Sequence, residues 1–404
     1  MAVGKVGDIE FIPVKGVRLG TASAGIRQTV RDDLLLIELA KGSVCAATFT
    51  TNAFCAAPVL VARRNIQSAV HFLLINSGNA NAGTGQAGFE DARRSCRFLA
   101  QCAGLREDQV LPFSTGVIGE RLPIEKMESA IPAALDALSA LGWDAAARAI
   151  MTTDTRPKGL SRRFSIGGRD VVITGIAKGA GMIHPQMATM LAFIATDLLI
   201  DRSLLHSCLA KAVERSFNCI SVDGDTSTND ACVLIATGQA GNSRVEPESP
   251  EYDLFSGFVD EVCEELAEAI VRDGEGATKL LRIEVGSAAS ESEARKVAKT
   301  IATSPLVKTA CFASDPNWGR ILAAVGRAGV DKLDIDRVGI WLGDLPVVEN
   351  GGLSPCYRES LAREIMRHDE ILIRVELGRG ERRHRELSCD LSYDYVRINA
   401  DYRT

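Results

Sequence analysis

A chain of 404 residues, 46% of them hydrophobic, is long enough to bury two domain-sized cores or one large α/β unit. A formal net charge of -6 and only 5% aromatic residues leave no basic, aromatic-bearing face, which excludes nucleic acid as the expected partner. No apolar run approaches bilayer length and residues 1–20 include Asp8 and Glu10, so no membrane span or targeting leader is expected and the cytoplasm is the expected compartment.

In chain order, residues 8–75 hold Leu34–Leu39, Val44–Thr51 and Val59–Val61 between Gly and Asn punctuation, which predicts sheet with little helix. Helical period enters at Phe89–Ala103 through Phe89, Ala92, Cys96 and Leu99. It returns over Pro123–Leu141 through Ile124, Met127, Ile131, Leu135 and Leu138. Pro132 stands inside the second pattern as a candidate kink, and Gly142 as its stop. Farther on, Asp201 is placed to cap a helix carrying Leu204, Leu205, Cys208, Leu209, Ala212 and Val213. The polar stretch 242–252 predicts a long surface loop, and Phe255–Arg272 a longer amphipathic helix. Then come a predicted strand at Thr278–Val285, helices at Glu291–Ala302 and Trp318–Ala328, and a β-rich tail with strands at Ile371–Val375 and Tyr395–Asn399. The pattern is mixed α and β without internal repeats, with two lobes meeting near residue 189.

Most of the apparent motifs carry little chemistry. Gly83-Thr84-Gly85-Gln86-Ala87-Gly88 matches a dinucleotide fingerprint, but a run of Asn, Gly and Ala separates it from the strand whose end should hold the first glycine. It reads as a Gly/Asn loop needing positive φ. Gly274–Lys279 lacks the spacing of a phosphate loop and leads into a strand. The histidines at 71, 184, 206, 368 and 384 show no ligand spacing, so no metal is expected; the 11 cysteines are scattered singly and read mostly as small buried thiols, not disulfides or zinc ligands. His184 is a candidate base, although a loop histidine beside a proline commonly packs or is solvated. Ser114-Thr115-Gly116 offers a hydroxyl and backbone N–H groups in a tight turn, the material of an oxyanion hole and equally of an ordinary turn.

The central stretch Lys178-Gly179-Ala180-Gly181-Met182-Ile183-His184-Pro185-Gln186-Met187-Ala188-Thr189-Met190-Leu191 is different. A threonine preceded by a small residue, reached through a Gly/Pro loop and followed by an apolar run, can be cut from its predecessor. It would then carry its own base, the freed α-amine. The alternative is a buried threonine opening a strand.

This stretch resembles the self-cleavage region of the ornithine acetyltransferase family, the bifunctional glutamate N-acetyltransferases. The resemblance runs the length of the chain through Asn76–Ala82, Ser114–Glu120, Met151–Thr155, Val222–Asp230, Asp273–Lys279, Ser314–Arg320 and Tyr395–Thr404. His184-Pro185-Gln186 departs from many members.

The resemblance implies an α/β fold, a two-lobed layered sandwich of the N-terminal-nucleophile-like type and not a doubly wound nucleotide fold. It implies autoproteolysis between Ala188 and Thr189, giving an α chain of residues 1–188 and a β chain of 189–404 that assemble as an α2β2 heterotetramer. Thr189 would then attack the acetyl group of N2-acetylornithine and hand it to L-glutamate by a ping-pong route, with Thr115 and Gly116 holding the oxyanion. Thr153, Lys178, Thr189, Glu275, Asn399 and Thr404 would line the amino-acid pocket. No bound cofactor is implied, and acetyl-CoA stands open as a co-substrate. Two other readings remain: a related amidase or aminopeptidase in which water is the acceptor, and a non-cleaving homologue that only binds.

Overall fold

The computed structural model describes residues 2–4, 7–27, 31–184 and 190–401. The chain forms two compact units, one of Gly7–Asn218 with Asp225–Ile270, the other of Met1–Val6, Cys219–Gly224 and Val271–Thr404.

The first unit is a layered sandwich. A four-stranded sheet runs in the order Val17–Ala22, Leu34–Leu39, Phe72–Asn79, Val110–Val117; the last two strands are parallel and the other neighbours antiparallel. A five-stranded sheet runs in the order Val44–Phe49, Ala231–Ala236, Leu191–Thr196, Arg169–Lys178, Lys158–Ile166, with one parallel pair, Ala231–Ala236 beside Leu191–Thr196. Period-two alternation decides which side chains meet. Leu35, Ile37, Leu73, Ile75 and Phe113 face Ile176, Phe193, Val233 and Ile235 across the sandwich. The rings of Phe113 and Phe193 meet edge to face at 5.2 Å. The intervening residues Leu34, Leu36, Phe72, Leu74 and Val110 point the other way, onto helices Gly85–Ala103 and Ile124–Asp136 through Cys96, Leu99, Met127 and Ile131. Each such leucine or phenylalanine contributes roughly 1.5–3 kcal/mol by leaving water. Helix Pro250–Arg272 lies against the edge strand Lys158–Ile166 and its neighbour Arg169–Lys178, stacking Phe258 on Phe164 at 4.2 Å and bringing Val262 and Leu266 to Gly175.

The second unit carries a seven-stranded sheet, from Gly352–Leu353 at one edge to Ile220–Ser221 at the other. Its strand Leu280–Ala288 buries Leu281, Ile283 and Val285 with Val297 and Ile301 of helix Glu291–Ala302, while Arg282 and Glu284 face the other side, half-buried.

Several predicted elements need correction. Val59–Val61 is not a strand but part of helix Ala57–Asn65, which opens with a proline and buries Val59, Val61, Ala62 and Asn65. A short apolar run does not distinguish the two periods, and Pro58 at the start decides for helix. Tyr395–Asn399 lies in helix Tyr393–Ala400, although Tyr, Val and Ile favour strands; here Tyr393 and Val396 are exposed and no strand neighbour claims them. The predicted helix Pro123–Leu141 ends at Asp136 with Pro132 inside it, and Gly142 precedes an unpredicted helix, Trp143–Ala149, instead of stopping the earlier one. Asp201 does stand before helix Arg202–Arg215, but its side chain accepts from Arg244 and makes no cap bond. Of the Gly83–Gly88 segment, expected to be a loop, only Gly83 and Thr84 are loop; Gly85–Gly88 open helix Gly85–Ala103, and positive φ occurs at Asn81, Gly83 and Gly85. No helix among the described residues is long and apolar enough to cross a membrane. The expected cleavage point falls within the sequence span of the first unit, so both products would contribute strands to the five-stranded sheet.

Candidate active site

In the first unit the site begins with a bend in two parallel strands. The ladder between Phe72–Asn79 and Val110–Val117 is regular up to Gly78 and Gly116, where it slips so that Asn79 stands opposite both Thr115 and Val117. Both glycines have positive φ, 104° at Gly78 and 139° at Gly116. A Cβ on Gly116 would lie 2.2 Å from the Gly78 carbonyl carbon and 2.5 Å from the Asn79 nitrogen, so the approach excludes any side chain. Buried amides hold the bend: Asn229 Nδ2 donates to the carbonyls of Ala80 and Ser114 at 2.6 and 2.9 Å, and Ser114 Oγ donates to Asn76 Oδ1 at 2.6 Å. Gly116→Ala should therefore lower unfolding stability by more than about 2 kcal/mol. Chemical denaturation checks this, and a variant as stable as the parent would show that the bend relaxes freely.

Thr115, 2% exposed, is met there by Lys178, also 2% exposed, whose Nζ donates to Thr115 Oγ1 at 3.1 Å. Lys178 is the last residue of its strand and pairs with Leu191, so the chain between them leaves and rejoins the sheet at neighbouring points. The next residue, Gly179, gives its N–H to Asp154 Oδ1 at 2.8 Å. Asp154 also accepts from Lys158 Nζ at 2.6 Å and from the Thr152 N–H at 2.8 Å, with both charged side chains essentially out of water. Burial alone would raise the Asp154 pKa, but Lys158, Lys178, the Lys158 hydrogen bond and the Gly179 amide together hold it well below the usual carboxylate range. Thr153 lies half-buried in the turn between Thr152 and Asp154. The structure thus brings Thr115, Gly116 and Lys178 together, with Asp154 beside Lys178 and Thr153 next to it in the chain. Ala188, Thr189 and Thr404 lie outside the described residues.

In the second unit two further expected residues meet. Asn399 Nδ2, on helix Tyr393–Ala400, donates to Glu275 Oε2 at 2.8 Å. The Glu275 loop is fixed by the next residue: Gly276 has φ 69°, and its carbonyl accepts from Ser392 Oγ at 2.6 Å. Downstream, Asp390 Oδ1 accepts the N–H groups of Thr278 and Lys279 at 2.8 and 2.9 Å.

Sequence reasoning gave no role to Asp154, Lys158 or Asp230, although two of them sit in segments that carried the resemblance. The usable signal was an aspartate four residues from a lysine after an Ala-rich stretch; nothing local says that the pair is buried. Also unforeseen is a cluster of Cys219, His384 and Glu386 in the second unit, whose potential ligand atoms lie within 4.8 Å of one another. His384 and Glu386 share a face because they are two apart on a strand, and His384 Nε2 is 2.9 Å from Glu386 Oε2. Burial raises the Glu386 pKa, opposed by His384, Lys299 and Arg295. With Lys299 and Arg295 already acting on the carboxylate and His384 hydrogen-bonded to it, the cluster reads as an internal polar network in preference to a dication site.

The profile of the ArgJ family matches residues 18–404. A protein of Methylococcus capsulatus described as arginine biosynthesis bifunctional protein ArgJ is 63% identical over 397 residues, 98% of this chain and 97% of its own length. The protein so described from Pseudomonas fluorescens is 51% identical over 408 residues, spanning 100% of both. The crystal structure of the ArgJ protein of Bacillus halodurans is 42% identical, covering 51% of this chain and 96% of that one with a TM-score of 0.49.

Proposed function

Since the chain belongs to the ArgJ family, we propose that it is a glutamate N-acetyltransferase of arginine biosynthesis, moving the acetyl group of N2-acetylornithine to L-glutamate. The proposed route is ping-pong. The chain first cleaves itself at Ala188-Thr189: the Thr189 hydroxyl attacks the Ala188 carbonyl, and water resolves the ester. The freed α-amine, with an ordinary pKa near 8, then serves as base while the same hydroxyl attacks the acetyl carbonyl. Ornithine departs with the proton, and glutamate takes the acetyl group by the reverse steps.

The observation that best supports this reading is the contact of Lys178 Nζ with Thr115 Oγ1. An ammonium donating to that oxygen turns the hydroxyl hydrogen toward another acceptor and makes it a stronger donor, as a developing oxyanion requires. In other acyl-transfer enzymes one such donor is worth about 3–4 kcal/mol of barrier. Lys178 also suits the α-carboxylate common to both substrates; Thr153, Glu275 and Asn399 enter amino-acid binding by resemblance. Ala188, Thr189 and Thr404 enter by resemblance alone. No bound cofactor is required, because the acetyl group rides on the enzyme.

The test is to incubate the purified protein with N2-acetylornithine, with and without glutamate, and to follow ornithine, acetate and N-acetylglutamate. Glutamate-dependent turnover without acetate supports transfer. Acetate release without need of glutamate would replace this reading by a hydrolase, and a single full-length band on a denaturing gel, without turnover, by a binding protein. Relatives described as bifunctional favour a second donor, acetyl-CoA; glutamate acetylation with acetyl-CoA alone tests it. A cytoplasmic α2β2 assembly completes the proposal.

A further inference from the structure

Glu275 stands between two glycines in a turn of the second unit. The Ala277 N–H donates to the Gly274 carbonyl at 2.9 Å, and Gly276, the third residue of that turn, takes φ 69°, as a type II turn requires. A Cβ on Gly276 would lie 2.5 Å from the Tyr395 nitrogen and one on Gly274 3.1 Å from Cys389 Sγ, so the loop lies directly on residues 389–395. The Glu275 carboxylate, only 8% exposed, is bonded to the Asn399 amide, and among the described residues no basic side chain pairs with it. A carboxylate removed from water with a neutral partner alone calls for a cation.

The chain between strand Arg382–Cys389 and helix Tyr393–Ala400 grips this loop at two points. Asp390, buried, takes the N–H groups of Thr278 and Lys279 on Oδ1 and the Thr278 hydroxyl on Oδ2. Two residues on, Ser392 Oγ donates to the Gly276 carbonyl at 2.6 Å. The same segment opens the helix that brings Asn399 back to Glu275. It is itself pinned from below: buried Lys308 donates through Nζ to Ser388 Oγ at 3.1 Å and to the Cys389 carbonyl, while its own carbonyl accepts the Leu391 N–H at 3.3 Å. We infer that Asp390 and Ser392 are positioning residues for a cationic side chain: by fixing the loop 274–279 against the start of helix Tyr393–Ala400, they hold the Glu275 carboxylate where it receives the terminal ammonium of the acyl donor. The inference rests on the reading above that places Glu275 in amino-acid binding. Each residue acts through Glu275, not on the substrate. Of the two amino acids exchanged, ornithine alone has a cationic tail, so the clamp serves the donor half of the reaction and leaves the entry of glutamate unchanged. In a ping-pong reaction kcat/KM for each substrate reports its own half, which separates positioning from plain stability.

The measurement is kcat/KM for N2-acetylornithine divided by that for N2-acetylnorvaline, which has the same carbon chain without the terminal amine. The parent should favour the amine by roughly 10- to 100-fold, the value of a charge-assisted contact. In Asp390→Ala and Ser392→Ala this preference should fall by about threefold or more, while kcat/KM for glutamate stays within about twofold of the parent. Asp390→Asn, whose Oδ1 still accepts both amides, should keep the parental preference. A folded alanine variant with undiminished preference, or one in which kcat/KM for glutamate falls in step, overturns the inference, and so does an Asp390→Asn enzyme that behaves like Asp390→Ala. Should Asp390→Ala not fold, Ser392→Ala decides, since it removes a single hydrogen bond. A parent without preference also overturns the inference, because there is then no tail contact to position. A parent that transfers no acetyl group defeats the acetyltransferase reading instead, and calorimetric binding of ornithine against norvaline then reads the same preference in the same variants.

Discussion

Thr189→Ala should leave the chain in one piece and lower acetyl transfer by roughly 10,000-fold or more, while Thr189→Ser keeps both reactions at reduced rate. Alanine has no oxygen for the N-to-O acyl shift, so the first reaction fails, and with it goes the α-amine that the second needs as base. No other side chain described here can take over. The Thr115 hydroxyl accepts from Lys178, which suits an oxyanion donor and lowers its basicity as a nucleophile. Burial handicaps the thiols of Cys45 and Cys311, pushed up to about 12, and of Cys208, pushed to about 11, far from the thiolate that reacts, whereas Cys102 and Cys356 are exposed. A denaturing gel and the two-substrate assay read the outcome. A Thr189→Ala protein still split at the same bond, or transferring at the parent rate, would remove Thr189 from both roles.

What sequence could and could not show follows from the range of the forces involved. Leu34–Leu39 was legible as a strand because it is buried on both faces, and an unbroken leucine-rich run is what such a strand requires. Helix Glu291–Ala302 was legible to the residue because its apolar stripe is clean and Ser290 accepts the Glu293 N–H. Helix Trp143–Ala149 was not, because seven residues, four of them alanine, make too short a period to see. At the site, Thr115, Lys178, Glu275 and Asn399 were named through resemblance. Their pairings, Lys178 with Thr115 and Asn399 with Glu275, join positions 63 and 124 residues apart and leave no local trace. Asp154 and Asp230 were passed over because an aspartate in a turn is ordinarily solvated; only the sheets closing over them make them exceptional.

Asp154→Ala should destabilise the folded chain by about 3–5 kcal/mol and lower transfer at least in proportion to the folded protein lost. The substitution leaves Lys158 charged, 1% exposed and without its carboxylate partner, and it removes the acceptor of the Thr152 and Gly179 amides. The sign of the pH effect follows from the depressed pKa. A carboxylate whose pKa is lower in the folded than in the unfolded chain contributes fully above the unfolded value, near 3.9, and loses its contribution as pH falls through the folded value. The parent should therefore lose this contribution below about pH 4, and Asp154→Ala should lack it, so the stabilities of the two converge as the solution is acidified. A double variant, Asp154→Leu with Lys158→Met, separates stability from catalysis. Removing both buried charges is commonly neutral for stability, so its denaturation midpoint should return toward the parent. Its transfer rate should not return, because Gly179 loses the bond that fixes the end of the Lys178 strand, and Lys178 loses a neighbouring negative charge. Parental kcat in a stable double variant would reduce Asp154 to a structural ion pair and leave the Lys178–Thr115 contact to be held by the sheet alone.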